Sequence, residues 1–144
     1  MALITLTLPL PPKELSPNAR VPWSVKSRAI KAYRYEVAIE ALRQAPLRWM
    51  SPPVEGPGVL PPITADVEFW HATNRKRDED NLRASLKTLW DGLVDARFLP
   101  GDDMSVFRLG KLECYSVKDV QPIIGVRKPE PAVIVRLYHA GETR

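Results

Sequence analysis

The chain has 144 residues, 44% hydrophobic and 26% charged, which excludes a fibrous or wholly disordered polypeptide and fits one domain with its own core. Its 21 Lys and Arg against 17 Asp and Glu give a net charge of +4, which inclines it towards polyanions without naming one. A single cysteine, Cys114, beside His71 and His139 excludes an internal disulfide and the ligand set of a structural zinc site, and suits a reducing cytoplasm.

The opening MALITLTLPLPP lacks the basic start of a leader and the long apolar run of a membrane span. It reads instead as a strand over 2–8, with Ile4, Leu6 and Leu8 alternating against Leu3, Thr5 and Thr7 until Pro9, Pro11 and Pro12 stop it. From Ser24 to Gln44 the spacing of Ile30, Tyr33, Val37, Ala41 and Leu42 predicts an amphipathic helix buried along those residues. SPPVEGPGVLPP, residues 51–62, is too rich in proline and glycine for regular structure and reads as an exposed insertion. Ile63 to Trp70 alternates Ile63, Ala65, Val67 and Phe69 against Thr64, Asp66 and Glu68, a half-buried strand. Leu82, Leu86, Leu89, Trp90 and Leu93 then predict a second helix, and 105–114 and 132–138 two closing strands.

The chemistry concentrates where the second helix begins. Arg75, Lys76 and Arg77 precede Asp78, Glu79, Asp80 and Asn81, and in extended backbone an i, i+2 pair such as Asp78 and Asp80 turns both carboxylates to one side. Asp102 and Asp103 follow the helix in the turn FLPGDDM; if the next strand lies beside the second one, a third carboxylate joins the pair. Three such groups repel one another unless a cation neutralises them, and oxygen-only ligation suits Mg2+, with Mn2+ as substitute. A site of that kind polarises a phosphate and activates water, the two needs of phosphodiester hydrolysis, while the neighbouring basic run holds the backbone. The plainer reading is that Asp78 is a helix cap and the basic triplet a solvated run. Lys87 falls in the angular sector of Asp80 and Asp91, so it either leans back towards the acids or pairs with Asp91.

LPLPPKELSPN with its Asn18, Ser27 through Ala32-Tyr33-Arg34, RKRDEDNL and WDGLVDARFLPGDD together resemble the RusA family of Holliday junction resolvases. The resemblance spans most of the chain apart from the insertion and residues 115–131. It implies an α+β fold, a two-layer sandwich in the order strand, helix, strand, helix, strand, strand with a mixed sheet, and a homodimer whose two-fold axis matches a four-way DNA junction. Carried over by position, the family's carboxylates fall on Asp78, Asp80 and Asp103, with Asp102 as substitute. Its lysine falls on Ala84 when counted from the Asp-Asn-Leu segment and on Lys87 when counted from Trp-Asp-Gly-Leu. The implied activity is magnesium-dependent, paired, symmetric nicking of four-way junctions, leaving 5′-phosphate and 3′-hydroxyl ends. Phosphate contacts are expected from Arg75, Lys76, Arg77, Lys26, Arg28 and Arg34, with Asn18 and Asn81 positioning backbone or ligands. The competing expectations are a non-catalytic basic DNA-binding module and a nuclease for other branched DNA.

Overall fold

Alternation in the sequence becomes alternation across one sheet. The computed structural model of the protein describes residues 4–45, 63–73, 77–99, 101, 107–119 and 130–139. In chain order they form β1 (Ile4–Leu8), α1 (Trp23–Gln44), β2 (Ile63–His71), α2 (Glu79–Asp95), β3 (Phe107–Ser116) and β4 (Ala132–His139), with single 3-10 turns at Lys13–Leu15 and Val117–Asp119. Leu6 and Leu8 of β1, Ala65, Val67 and Phe69 of β2, and Val133, Val135 and Leu137 of β4 are all buried in one core. The expected α+β class and element order therefore hold.

The sheet order is β1-β4-β2-β3. β4 runs antiparallel to both β1 and β2, whereas β3 runs parallel to β2, so the sheet is mixed. The parallel pair starts at Ile63 opposite Phe107 and ends at His71 opposite Ser116, which extends β3 past the expected Cys114. Its register shifts between Ala65 and Val67, where β3 carries one extra residue. Asp66, almost wholly buried, accepts the Lys111 N–H at 2.8 Å there, so its carboxylate satisfies a backbone donor that the bulge takes out of the ladder.

α1 buries Tyr33, Val37 and Ala41 at four-residue spacing, and the Tyr33 hydroxyl donates to Pro9 O at 2.7 Å, tying the helix to the chain just beyond β1. Leu42, expected in that buried stripe, is 36% exposed. It lies about 100° round the helix from Ala41 and shares a surface stripe with Tyr35 and Ile39. α2 buries Leu86, Leu89, Trp90 and Leu93 as its pattern predicts, with Leu82 half-buried. The two helices pack closely at Gly92, where a Cβ would lie 2.8 Å from Arg34 O and 2.9 Å from Val37 Cβ. Beyond α2 the chain turns at Arg97, whose φ of 63° is left-handed, while Phe98 N bonds Leu93 O at 2.9 Å and Arg97 N bonds Val94 O at 3.0 Å. That is a Schellman ending, and it sends Phe98 and Leu99 into the core. No described helix is long and apolar enough to cross a membrane.

Candidate acidic site at the start of the second helix

Asp78 is the N-cap of α2, in extended conformation at φ −89° and ψ 124°, and its Oδ1 accepts the Asp80 N–H at 2.8 Å. The sequence dictates this locally: an Asp ahead of a run of good helix formers supplies the acceptor that the first helical N–H groups lack. Glu79 and Asp80 occupy the first turn, where the positive end of the helix dipole favours them. Asp80 is thus helical, and the extended i, i+2 geometry expected for the acidic pair does not hold. The capping bond sets the Asp78 carboxylate against the backbone N–H of Asp80. Glu79 is occupied by Arg83 one turn on, at 3.0 Å.

Asp78 also lines a cleft of about 520 Å³. It is lined by Leu10, Pro11, Pro12, Lys13 and Ser16 after β1, by Phe69 and His71 at the end of β2, and by Arg77, Asp78, Asn81, Leu82 and Ser85 about the start of α2. His71 is buried, its ring stacked parallel to Phe69 at 5.6 Å between centroids. Two cations, an imidazole and an amide therefore share one concavity with the Asp78 carboxylate. Lys13, Ser16, His71 and Ser85 were not among the residues expected here. The alternation of β2 carries the sign for His71, which continues the inward parity of Val67 and Phe69, whereas Lys13 and Ser16 arrive only through a contact made across the fold.

Asp102, Asp103, Arg75 and Lys76 lie outside the described residues. The condition set for the third carboxylate, that the next strand lie beside β2, is met by β3. Phe107, the first described residue of β3, sits opposite Ile63 at the start of β2 and packs against Trp90 at 4.8 Å, while Asp78 follows the end of β2. Among the described residues no three His, Cys, Asp or Glu groups converge as a metal set.

The remaining expected residues scatter. Lys87 Nζ pairs with Asp91 Oδ1 at 3.1 Å, the surface i, i+4 contact, pointing it towards the C-terminal half of α2. Arg34 forms a two-pronged bond to Asp95, Nε to Oδ2 at 2.5 Å and Nη2 to Oδ1 at 2.7 Å, which joins α1 to the end of α2 and holds the Asp95 carboxyl below its ordinary range. Arg28 Nε donates to Ser24 O at 3.3 Å, Lys26 is half-buried in α1, and exposed Asn18 bonds Ser16 Oγ through its backbone N–H at 3.3 Å. Of the expected binding residues, Arg77 and Asn81 line the cleft; Asn18, Lys26, Arg28 and Arg34 do not.

No protein-family model matches the chain. A protein of Xylella fastidiosa (strain Temecula1 / ATCC 700964), described as an "Uncharacterized protein", is 40% identical over 92 residues, which is 64% of this chain and 56% of that protein. The chain thus spans little more than half the length of this relative.

Proposed function

We propose that the protein is a magnesium-dependent endodeoxyribonuclease that nicks four-way DNA junctions symmetrically as a homodimer, with Asp78 and Asp80 at its reacting centre. The observation that carries the reading is the placement of Asp78 in the lining of a cleft that also holds Arg77 and Lys13, with Asp80 two residues on in the first turn of α2. The donor chemistry suits a hard cation: Asp78 spends Oδ1 on the capping bond and keeps Oδ2, and the Asp80 side chain is exposed. Magnesium there supplies Lewis-acid polarisation of the scissile phosphate and a lowered pKa for water. Arg77 and Lys13 hold the phosphate backbone against the carboxylates, and Asn81 orients the sugar or base beside them.

Asp103, with Asp102 beside it, completes the ligand set in this proposal. One chain carries one such site, so paired symmetric nicks require two chains related by a two-fold axis that matches that of the junction.

Asp80→Asn, incubated with a synthetic four-way junction and magnesium, is expected to cut about 10²–10³-fold more slowly while binding the junction at least as well, since a negative charge facing phosphate is removed. Cleavage at the wild-type rate would sink the assignment, and equal digestion of a linear duplex would remove the branch selectivity. One observation favours a second reading, a non-catalytic DNA-binding module: the Asp78 carboxylate has a structural occupation as N-cap. That reading predicts no magnesium-dependent cutting before any substitution is made.

A further inference from the structure

The cleft beside Asp78 differs from the two other described cavities in its charge. The cavity of about 370 Å³ under Pro9 and Tyr33 is lined by Glu14 and Glu36 with no cation, and that of about 240 Å³ on the sheet is lined by Asp66, Glu68 and Glu113 against Lys111 and Arg136. Only the cleft of about 520 Å³ among these combines an excess of cations, Lys13 and Arg77 against Asp78, with an extended apolar wall. Its Leu10, Pro11 and Pro12 stretch is rigid, because proline fixes its own backbone angle.

Resting on the nuclease reading above, we propose that this cleft takes one unstacked deoxynucleotide of the strand presented to Asp78, its base against the Leu10–Pro12 wall and its phosphate on Lys13 and Arg77. The volume lies in the range of about 300–1,000 Å³ that small-ligand sites occupy, too narrow for a stacked base pair with both backbones. A base inside a duplex cannot enter such a space without leaving the stack, at a cost of a few kcal/mol that is smallest where pairing is already interrupted. The branch point of a junction is such a place, so the cleft selects branched over linear DNA by geometry. Asn81 offers a donor pair and an acceptor to the polar edge of the base. The Ser85 hydroxyl is turned back to Leu82 O at 2.7 Å and contributes surface rather than a hydrogen bond. The base preference at the cut is therefore set by Asn81.

The test uses the whole chain, labelled with nitrogen-15, titrated with each of the four deoxynucleoside 5′-monophosphates, with inorganic phosphate and with the free deoxynucleosides. The expected result is amide shifts at His71, Asn81 and Ser85 at millimolar monophosphate, with one base preferred and binding about threefold or more tighter than to phosphate or nucleoside alone. Ser85→Phe, which fills the cleft, is expected to abolish the shifts, and Ser16→Trp fills it from the other wall should the first variant not fold. Equal shifts with inorganic phosphate would reduce the cleft to an anion site, and shifts confined to other surfaces would remove the ligand altogether; either overturns the proposal. The readout needs no cleavage, so a junction that is cut by a protein whose cleft ignores nucleotides refutes this inference alone, whereas nucleotide binding without any nicking refutes the nuclease reading.

Discussion

At Asp78 one carboxylate caps α2 and, in the proposed function, also holds magnesium, and conservative and radical substitutions separate the two. Asparagine caps a helix nearly as well as aspartate but brings no charge, so Asp78→Asn is expected to leave stability within about 0.5 kcal/mol while abolishing magnesium-dependent cutting. Asp78→Ala removes the acceptor for the Asp80 N–H as well and is expected to cost about 1 kcal/mol, read from denaturant midpoints. Tyr33 shows the reverse case, a polar group fixed by burial. Its hydroxyl donates to Pro9 O, and burial together with nearby Glu36 pushes its ionisation far above the ordinary 10.0. A raised folded pKa means that the stability from this group is fully present below the ordinary value and is lost as pH rises through the folded one. An alkaline ultraviolet titration is expected to show Tyr33 ionising only as the chain unfolds, and Tyr33→Phe should delete that late phase at a cost of about 1 kcal/mol. Ionisation of every tyrosine in the native state would contradict the burial.

Helix α2 carries the site at one end and its anchorage at the other. The N-terminal turn is polar and solvated at Asp78, Glu79 and Asp80, while the C-terminal half is pinned by Gly92 against α1, by the Arg34–Asp95 pair and by Phe98 and Leu99 in the core. Gly92 is required by this approach: alanine is the better helix former by about 1 kcal/mol, yet its methyl would meet Arg34 O and the Val37 side chain below 3.0 Å. Gly92→Ala is expected to destabilise by about 1–3 kcal/mol, measured by thermal or denaturant unfolding, because neither a backbone oxygen nor a buried β-branched side chain yields easily. A gain in stability would show that the helices separate freely. Arg34 belongs to the same anchorage, which is why its guanidinium faces Asp95 rather than the cleft.

At the scale of the whole molecule, the parallel β2–β3 pair fixes which ends of the chain meet. Strand β2 is 9 residues, about 30 Å, and Phe107, the first residue of β3, pairs with Ile63 at its start, while α2 begins after its end. The proposed dimer, with one site per chain, has a direct test at this scale. Asp80→Asn mixed with the unaltered chain and allowed to exchange subunits is expected to give mixed dimers that nick a junction once where the unaltered dimer nicks it twice. Paired nicks at the unaltered rate by demonstrably mixed dimers would contradict one site per chain.

The sequence by itself determined the elements: period-two alternation in β1, β2 and β4, the leucine stripe of α2, the cap at Asp78 and the element order are all set by neighbours a few residues apart. It also singled out Asp78 and Asp80, because capping chemistry and carboxylate spacing are local. Only the tertiary structure decided that β3 runs parallel to β2, that Lys13 and Ser16 meet His71 and Asn81 around one cleft, that Leu42 faces solvent and that Arg34 is taken by Asp95. Each of these depends on which surface packs against which, sometimes at a separation of 61 positions along the chain as between Arg34 and Asp95, and no local pattern encodes the choice of partner.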